Sequence, residues 1–196
     1  MYISYPNYVN YAAPQDEPTD YYTEQQDPAS ETPPPPLAAG TKELMDQGME
    51  FFKEGRYIDA FSMFSRATLA DLNAPLARFV YAHTLFALGL YDDAAGEIRF
   101  GLALMPEWPE VGGDLKQLYG EVKDFDAQMA ALKAHLKVRG EDENALLVLA
   151  YTSYFTGDLY AAEKAFEQIA DSSNPETASA AGLFQTVIQK IKAADH

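Results

Sequence analysis

Histidines and acidic side chains are the groups of this chain that could carry metal or acid–base chemistry, because cysteine is absent. The three histidines are His83, His135 and His196. None has a second histidine or a carboxylate at the spacing typical of metal ligands, so the sequence predicts no metal site. His135 is expected in the core or at its rim.

The acidic pairs are better explained as charges at helix starts than as catalytic pairs. Asp92-Asp93 and Glu141-Asp142-Glu143 stand where carboxylates can stabilise the free amides of a helix. The sequence contains no glycine-rich phosphate loop, nucleophile elbow or Walker-type motif. We therefore expect no catalytic residues, no cofactor and no enzyme. The alternative, an unrecognised enzyme, needs a polar pocket with perturbed titrating groups.

Charge excludes several classes of partner. The chain carries 30 acidic and 14 basic residues, a formal net charge of −16. Nucleic-acid binding requires a basic stripe that releases counterions, so nucleic acid is excluded. Adsorption to anionic membranes is disfavoured for the same reason. No apolar run reaches 18 residues, which predicts no membrane insertion.

Residues 1–40 form a Tyr/Pro-rich acidic tail. They hold eight of the 12 prolines, six of the 13 tyrosines and six acidic residues, without Lys or Arg. Such a segment cannot build a core and is expected to be flexible or extended. Its first residues lack the features of a signal peptide. A native start at Met1 therefore predicts a cytoplasmic protein, whereas a chain trimmed behind a signal peptide is an exported one, and the localisation stays open.

The rest of the chain repeats every 34 residues. The segments that begin at Gly55, Gly89, Lys123 and Gly157 align in phase, without an insertion. Extending them outward divides the sequence into repeats at 41–74, 75–108, 109–142 and 143–176. A final helix opens at Pro175, and residues 177–196 carry one apolar stripe that suits a terminal capping helix.

Each recurring residue type has a physical cause. Small residues at the eighth and twentieth positions, such as Ala60, Ala94 and Ala162, let two helices approach closely. Glycine at the fifteenth position can adopt the left-handed conformation that ends a helix. The third repeat is the weakest, because Lys116 and Gln128 replace small residues and Gly112-Gly113 loosens its first helix.

This pattern resembles the tetratricopeptide repeat family over 136 of the 196 residues. The resemblance implies an all-α fold: a right-handed α-solenoid of four helix-turn-helix repeats plus a C-terminal capping helix. It also implies a protein-interaction module or scaffold, with a partner protein or peptide in the concave groove.

The resemblance further implies which residues line that groove. They are Met45, Met49 and Phe52 in the first repeat, Phe79, His83 and Phe86 in the second, Glu110, Asp114 and Gln117 in the third, and Leu147, Tyr151, Tyr154 and Phe155 in the fourth. The Lys and Asn residues with which chaperone-binding members hold a C-terminal carboxylate are absent. Two explanations of the aromatic residues stay open: an exposed binding surface, or packing between neighbouring first helices.

The tail suggests one ligand for such a groove. Tyr2, Tyr5, Tyr8 and Tyr11 recur every third residue, the period of a polyproline-II helix. We expect residues 1–11 to be able to occupy the groove, in the same chain or a neighbouring one, with Phe79, Phe86, Tyr151 and Tyr154 as anchors. The simpler alternative is a disordered tail with incidental tyrosines. Self-association of the groove within a larger, homo-oligomeric assembly is the alternative function.

Overall fold

The computed structural model describes residues 40–194, which are helical throughout and contain no strand. Six of the nine α-helices of this part of the chain pack as three adjacent pairs, which confirms the all-α, tetratricopeptide-like fold class. Their bounds are α1 Thr41–Lys53, α2 Tyr57–Ala70, α3 Pro75–Ala87, α4 Tyr91–Leu104, α5 Trp108–Val111, α6 Val122–Val138, α7 Glu143–Tyr154, α8 Leu159–Ile169 and α9 Pro175–Ala194, with a 3-10 helix at Leu115–Leu118. Residues 1–39, including the tyrosine stripe, lie outside the described part.

Glycine turns join the helices of three pairs. Gly55, Gly89 and Gly157 lie between α1 and α2, α3 and α4, and α7 and α8, with φ of 73°, 75° and 80°. Only glycine adopts this left-handed conformation without a steric penalty. After α1, the amide of Arg56 donates to the carbonyl of Phe51 at 2.9 Å, closing the helix end. The predicted role of the fifteenth repeat position is confirmed at these three turns.

Small residues bring the paired helices together. Ala60, Ala94 and Ala162 are completely buried, as predicted. At Gly48, a Cβ atom would lie 2.6 Å from the ring of Phe64, so α1 and α2 can pack this closely only because Gly48 has no side chain.

The third unit, predicted as a helix pair over residues 109–142, differs from the other three. In place of a full first helix it has the four-residue α5 and the 3-10 helix. Gly112 and Gly113 separate these two pieces with φ of 71° and 135°, values that end a helix rather than continue it. The prediction of a complete third pair is thereby corrected.

The loss of this helix changes how the chain stacks. Helix α4 packs directly against α7, so the third unit does not stand between them. Near the starts of both helices, Asn144 donates to Asp92 at 2.9 Å. Tyr154, the last residue of α7, donates to the carbonyl of Pro109 in α5, shortly after the end of α4, at 2.6 Å. Helices α4 and α7 therefore run in the same direction.

Helix α6 crosses the ends of the first two pairs. Near its start, the hydroxyl of Tyr57 lies 3.5 Å from a carboxylate oxygen of Asp124. Near its end, the rings of His135 and Tyr91 are 5.0 Å apart. The third unit thus runs over the stack instead of extending it.

Helix α9 closes the other side. Phe184 and Ile188 are fully buried, and the Phe184 ring stacks on Phe166 of α8 at 4.8 Å. Lys190 pairs with Glu110 at 2.8 Å, so α9 also reaches α5. No helix within residues 40–194 is both long and apolar enough to cross a bilayer.

Candidate functional site

The predicted groove residues lie on α1, α3 and α7 and on the segment between α4 and α6. We call the side of α1, α3 and α7 that carries them the inner face. At its centre Phe79, His83, Tyr151 and Phe155 meet: the rings of His83 and Tyr151 are 5.6 Å apart, and those of Tyr151 and Phe155 are 4.9 Å apart. These four of the predicted residues therefore lie together, and whether they bind a partner stays a prediction.

The face is not open. Phe79, Phe86, Tyr151 and Tyr154 are between 0% and 8% exposed, so they are not free anchors for a peptide. Phe52, His83 and Phe155 are also buried, whereas Met45 and Met49 are half-buried. Of the two explanations that the sequence left open for these aromatic side chains, an exposed surface does not describe this conformation.

The chain covers the inner face with its own residues 108–121, which we call the covering segment. Trp108 stacks on Phe79 with ring centroids 4.3 Å apart and planes inclined by 11°. Its indole Nε1 donates to the hydroxyl of Tyr151 at 2.9 Å. Further along, the amide of Leu115 donates to the carbonyl of Phe155 at 3.0 Å.

The other end of the covering segment rests against α1. Tyr119 packs edge-on against Phe52 with ring centroids 4.9 Å apart, and its hydroxyl donates to Gln128 at 2.6 Å. Burial raises the pKa of Tyr119 far above its usual value, so the phenol stays protonated. A Cβ atom at Gly120 would lie 2.1 Å from the carbonyl oxygen of Lys53, so only glycine fits where the chain passes α1.

Asp114 and Gln117 were predicted to line the acidic middle of the groove. They lie on the covering segment instead, because the helix that would have carried them is broken. Asp114 accepts a hydrogen bond from the amide of Lys116 at 2.9 Å and begins the 3-10 helix, and Gln117 is exposed. Trp108 is the residue of this face that the sequence analysis did not identify. The available signal was that this only tryptophan of the chain precedes a proline at a repeat boundary.

His83 joins the buried hydrogen-bond chain below Trp108. Its Nε2 lies 3.1 Å from the hydroxyl of Tyr151. Because an indole N–H can only donate, Tyr151 accepts from Trp108, and its own proton is available to Nε2 of a neutral His83. The remaining proton of the ring is then on Nδ1, which is buried without a hydrogen-bond partner in the described part of the chain. An unsatisfied buried group of this kind costs about 1–3 kcal/mol.

Comparison with known proteins gives distant similarities. No family model matches the chain. Cell division cycle protein 27 homolog A of Arabidopsis thaliana is 25% identical over 104 residues, 53% of this chain, and the match spans only 14% of that relative.

Among solved structures, the first TPR of Spaghetti (RPAP3), bound to the HSP90 peptide SRMEEVD, covers 78% of this chain and 93% of its own, with 16% identity and a TM-score of 0.38. TTC0263, a thermophilic TPR protein of Thermus thermophilus, covers 76% of this chain and 83% of its own, with 21% identity and a TM-score of 0.36.

The fold is identified from the repeat pattern of the chain itself. Three helix pairs keep the 34-residue register and bury the small residues of that register at their contacts. The chain has a tetratricopeptide-type helical repeat fold. Its departure from a regular array is confined to the third unit, which supplies the covering segment and α6.

The buried histidine of this tetratricopeptide-type face makes the fold sensitive to acid. Burial lowers the pKa of His83 to about 3, against about 6.5 in an unfolded chain. Below pH 6.5 the unfolded chain binds a proton that the folded chain does not. The free energy of unfolding therefore decreases by about 1.4 kcal/mol for each unit by which the pH is lowered. We expect a loss of about 2 kcal/mol between pH 7 and pH 5.

Urea unfolding of the native chain and of His83→Gln at both pH values measures this loss. Glutamine can accept from Tyr151 but cannot be protonated, so the variant should lose less stability on acidification. Equal losses in the two proteins would show that His83 is not the responsible group.

His135 lies at the rim, as expected, and has an acidic partner that the sequence did not reveal. Its Nε2 is 2.7 Å from Asp142, whose other carboxylate oxygen accepts from the amide of Ala145 at 3.0 Å. Partial burial opposes ionisation of Asp142, but these hydrogen bonds outweigh it and hold its pKa below the usual value. Asp142 therefore caps α7, as the helix-start interpretation predicted. Within residues 40–194, no three acidic or histidine side chains come together as possible metal ligands.

Proposed function

We propose that this chain is a non-catalytic protein-interaction module whose inner face binds a peptide or protein segment. The observation that carries the proposal is the covering segment, in which two short helices, α5 and the 3-10 helix, are held against the face by aromatic anchors. Trp108 fills a pocket between Phe79 and Tyr151, and Tyr119 fills a second one beside Phe52. Buried aromatic anchors of this kind supply most of the affinity in peptide recognition.

The electrostatics of the face support binding rather than catalysis. His83 is neutral, because burial lowers its pKa to about 3, and burial keeps Tyr119 protonated. Neither group can exchange protons at neutral pH. The net charge of −16 disfavours nucleic acid and favours protein partners with basic or apolar surfaces.

The test offers the aromatic anchor side chains to the inner face on a separate, synthetic peptide. Trp108→Ala empties the indole pocket, and a synthetic peptide of residues 104–121 is then titrated into the full-length variant by calorimetry. We expect saturable binding with a Kd below about 1 mM and a rise in the melting temperature of the variant, since a ligand stabilises the state that it binds. The matched control peptide carries alanine at the Trp108 and Tyr119 positions and should not bind.

Failure of the native-sequence peptide to bind a folded variant would contradict the proposal. If Trp108→Ala is too unstable to titrate, the milder Trp108→Leu replaces it. A peptide of residues 1–11 tests the tyrosine stripe of the tail as a ligand of the same face. Light scattering of the native chain tests the alternative function, because a self-associating assembly gives a concentration-dependent dimer.

A further inference from the structure

The covering segment occupies its site imperfectly. Gly112 and Gly113, with φ of 71° and 135°, separate Trp108 from Tyr119. Backbone hydrogen bonding to the inner face is sparse: in the middle of the segment, the amide of Leu115 donates to Phe155. The segment is therefore not the best ligand that this pocket could hold.

The frame behind the segment is complete without it. Helix α4 packs directly against α7, and α8 packs against α9. Arg99 of α4 donates to Asn144 of α7 at 2.8 Å and to Thr177 of α9 at 3.3 Å, which ties these helices together without a residue of the covering segment. Displacing the segment would uncover the inner face without separating the helices that form it.

The chemistry of the pocket defines what can replace the segment. Phe79 offers a flat stacking surface at 4.3 Å, and the hydroxyl of Tyr151 accepts an N–H at 2.9 Å. An indole satisfies both contacts. A phenylalanine side chain has no N–H to donate, and a leucine side chain has neither the flat ring nor the N–H.

We infer that the inner face is selective for tryptophan-bearing peptides and that such a partner displaces the covering segment by taking the place of Trp108. This inference rests on the proposed function and names the partner class of the same site. Because the covering segment is tethered at both ends, it competes at an effective concentration of about millimolar or above. To displace the segment below millimolar concentration, the partner must therefore bind more favourably than the segment does.

The only tryptophan of the chain lies in this pocket, so one probe reports displacement. The full-length protein is labelled with 5-fluorotryptophan and gives a single ¹⁹F resonance from Trp108. Unlabelled peptide of residues 104–121 is the ligand, and the same peptide with leucine at the Trp108 position is the matched control. A peptide with the segment's own sequence competes with the tethered copy, so in the native chain we expect it to move intensity to the position of a solvent-exposed fluorotryptophan only at several millimolar. The leucine peptide should leave the resonance unchanged.

A second variant lowers the barrier to displacement without removing an anchor. Gly120→Ala places a Cβ atom against the carbonyl of Lys53 and loosens the segment. Displacement in this variant is expected at several-fold lower peptide concentration than in the native chain. A resonance that stays at its buried position in both proteins at millimolar peptide would overturn the inference, as would equal displacement by the leucine peptide.

Different experimental results would contradict the proposed function and the displacement inference. Binding of the peptide to Trp108→Ala, with no displacement in native protein or Gly120→Ala, overturns the displacement inference and leaves the peptide-binding face intact. Absence of binding to the folded Trp108→Ala variant overturns the proposed function and this inference together.

Discussion

Trp108→Ala is expected to destabilise the protein by about 3–5 kcal/mol, the range for removing a large buried aromatic side chain. Trp108 is 6% exposed and stacks on Phe79, and its indole N–H is bonded to Tyr151. The substitution leaves a cavity at the centre of the inner face. It also removes the donor to the hydroxyl of Tyr151, which lies 3.1 Å from Nε2 of the buried His83.

Urea unfolding followed by far-ultraviolet circular dichroism measures this loss, because the variant has no tryptophan fluorescence. Tyr160→Ala is the matched control: this aromatic side chain is 73% exposed and its removal should change stability by less than about 0.5 kcal/mol. Equal midpoints for the native chain and Trp108→Ala would mean that the covering segment does not pack on the inner face as described.

Removing residues 177–196 is expected to have the largest effect on the fold. Phe184 of α9 lies within 4.8 Å of the ring centroids of both Tyr154 and Phe166, and Ile188 is fully buried. Their loss would expose one side of α7 and α8 to water. An exposed apolar face of this size leads to association or partial unfolding.

Size-exclusion chromatography with light scattering, together with thermal unfolding, tests the truncated protein. Phe184→Ala should reproduce part of the effect, with a loss of about 3–5 kcal/mol, and the exposed Gln189→Ala should have almost none. A truncated protein that remained monomeric with an unchanged melting temperature would show that α9 is dispensable.

The helix pairs themselves were predictable from the sequence. The glycine at each turn, the small residues at each helix contact and the proline that opens α9 all act locally, within one pair or one turn. Their effects depend on residues fewer than 34 positions apart. For this reason Gly55, Ala60 and Pro175 have the conformation or burial expected of them.

The state of the inner face was not predictable in the same way. The sequence brought Phe79, His83 and Tyr151 to one site and also showed that Gly112-Gly113 weakens the third unit. It did not show where the weakened helix goes, because the contacts that decide this are distant along the chain: Trp108 with Phe79 and Tyr151, and Gly120 with Lys53.

The sequence by itself therefore determined the three helix pairs that keep the 34-residue register, and the family resemblance placed Phe79, His83 and Tyr151 on one side of them. Tertiary structure decided that α7 packs directly on α4 and that residues 108–121 cover that face. The physical reason lies in the kind of interaction. Periodicity and turn chemistry are local, whereas the burial of one tryptophan is gained only when α3, α4 and α7 have already come together.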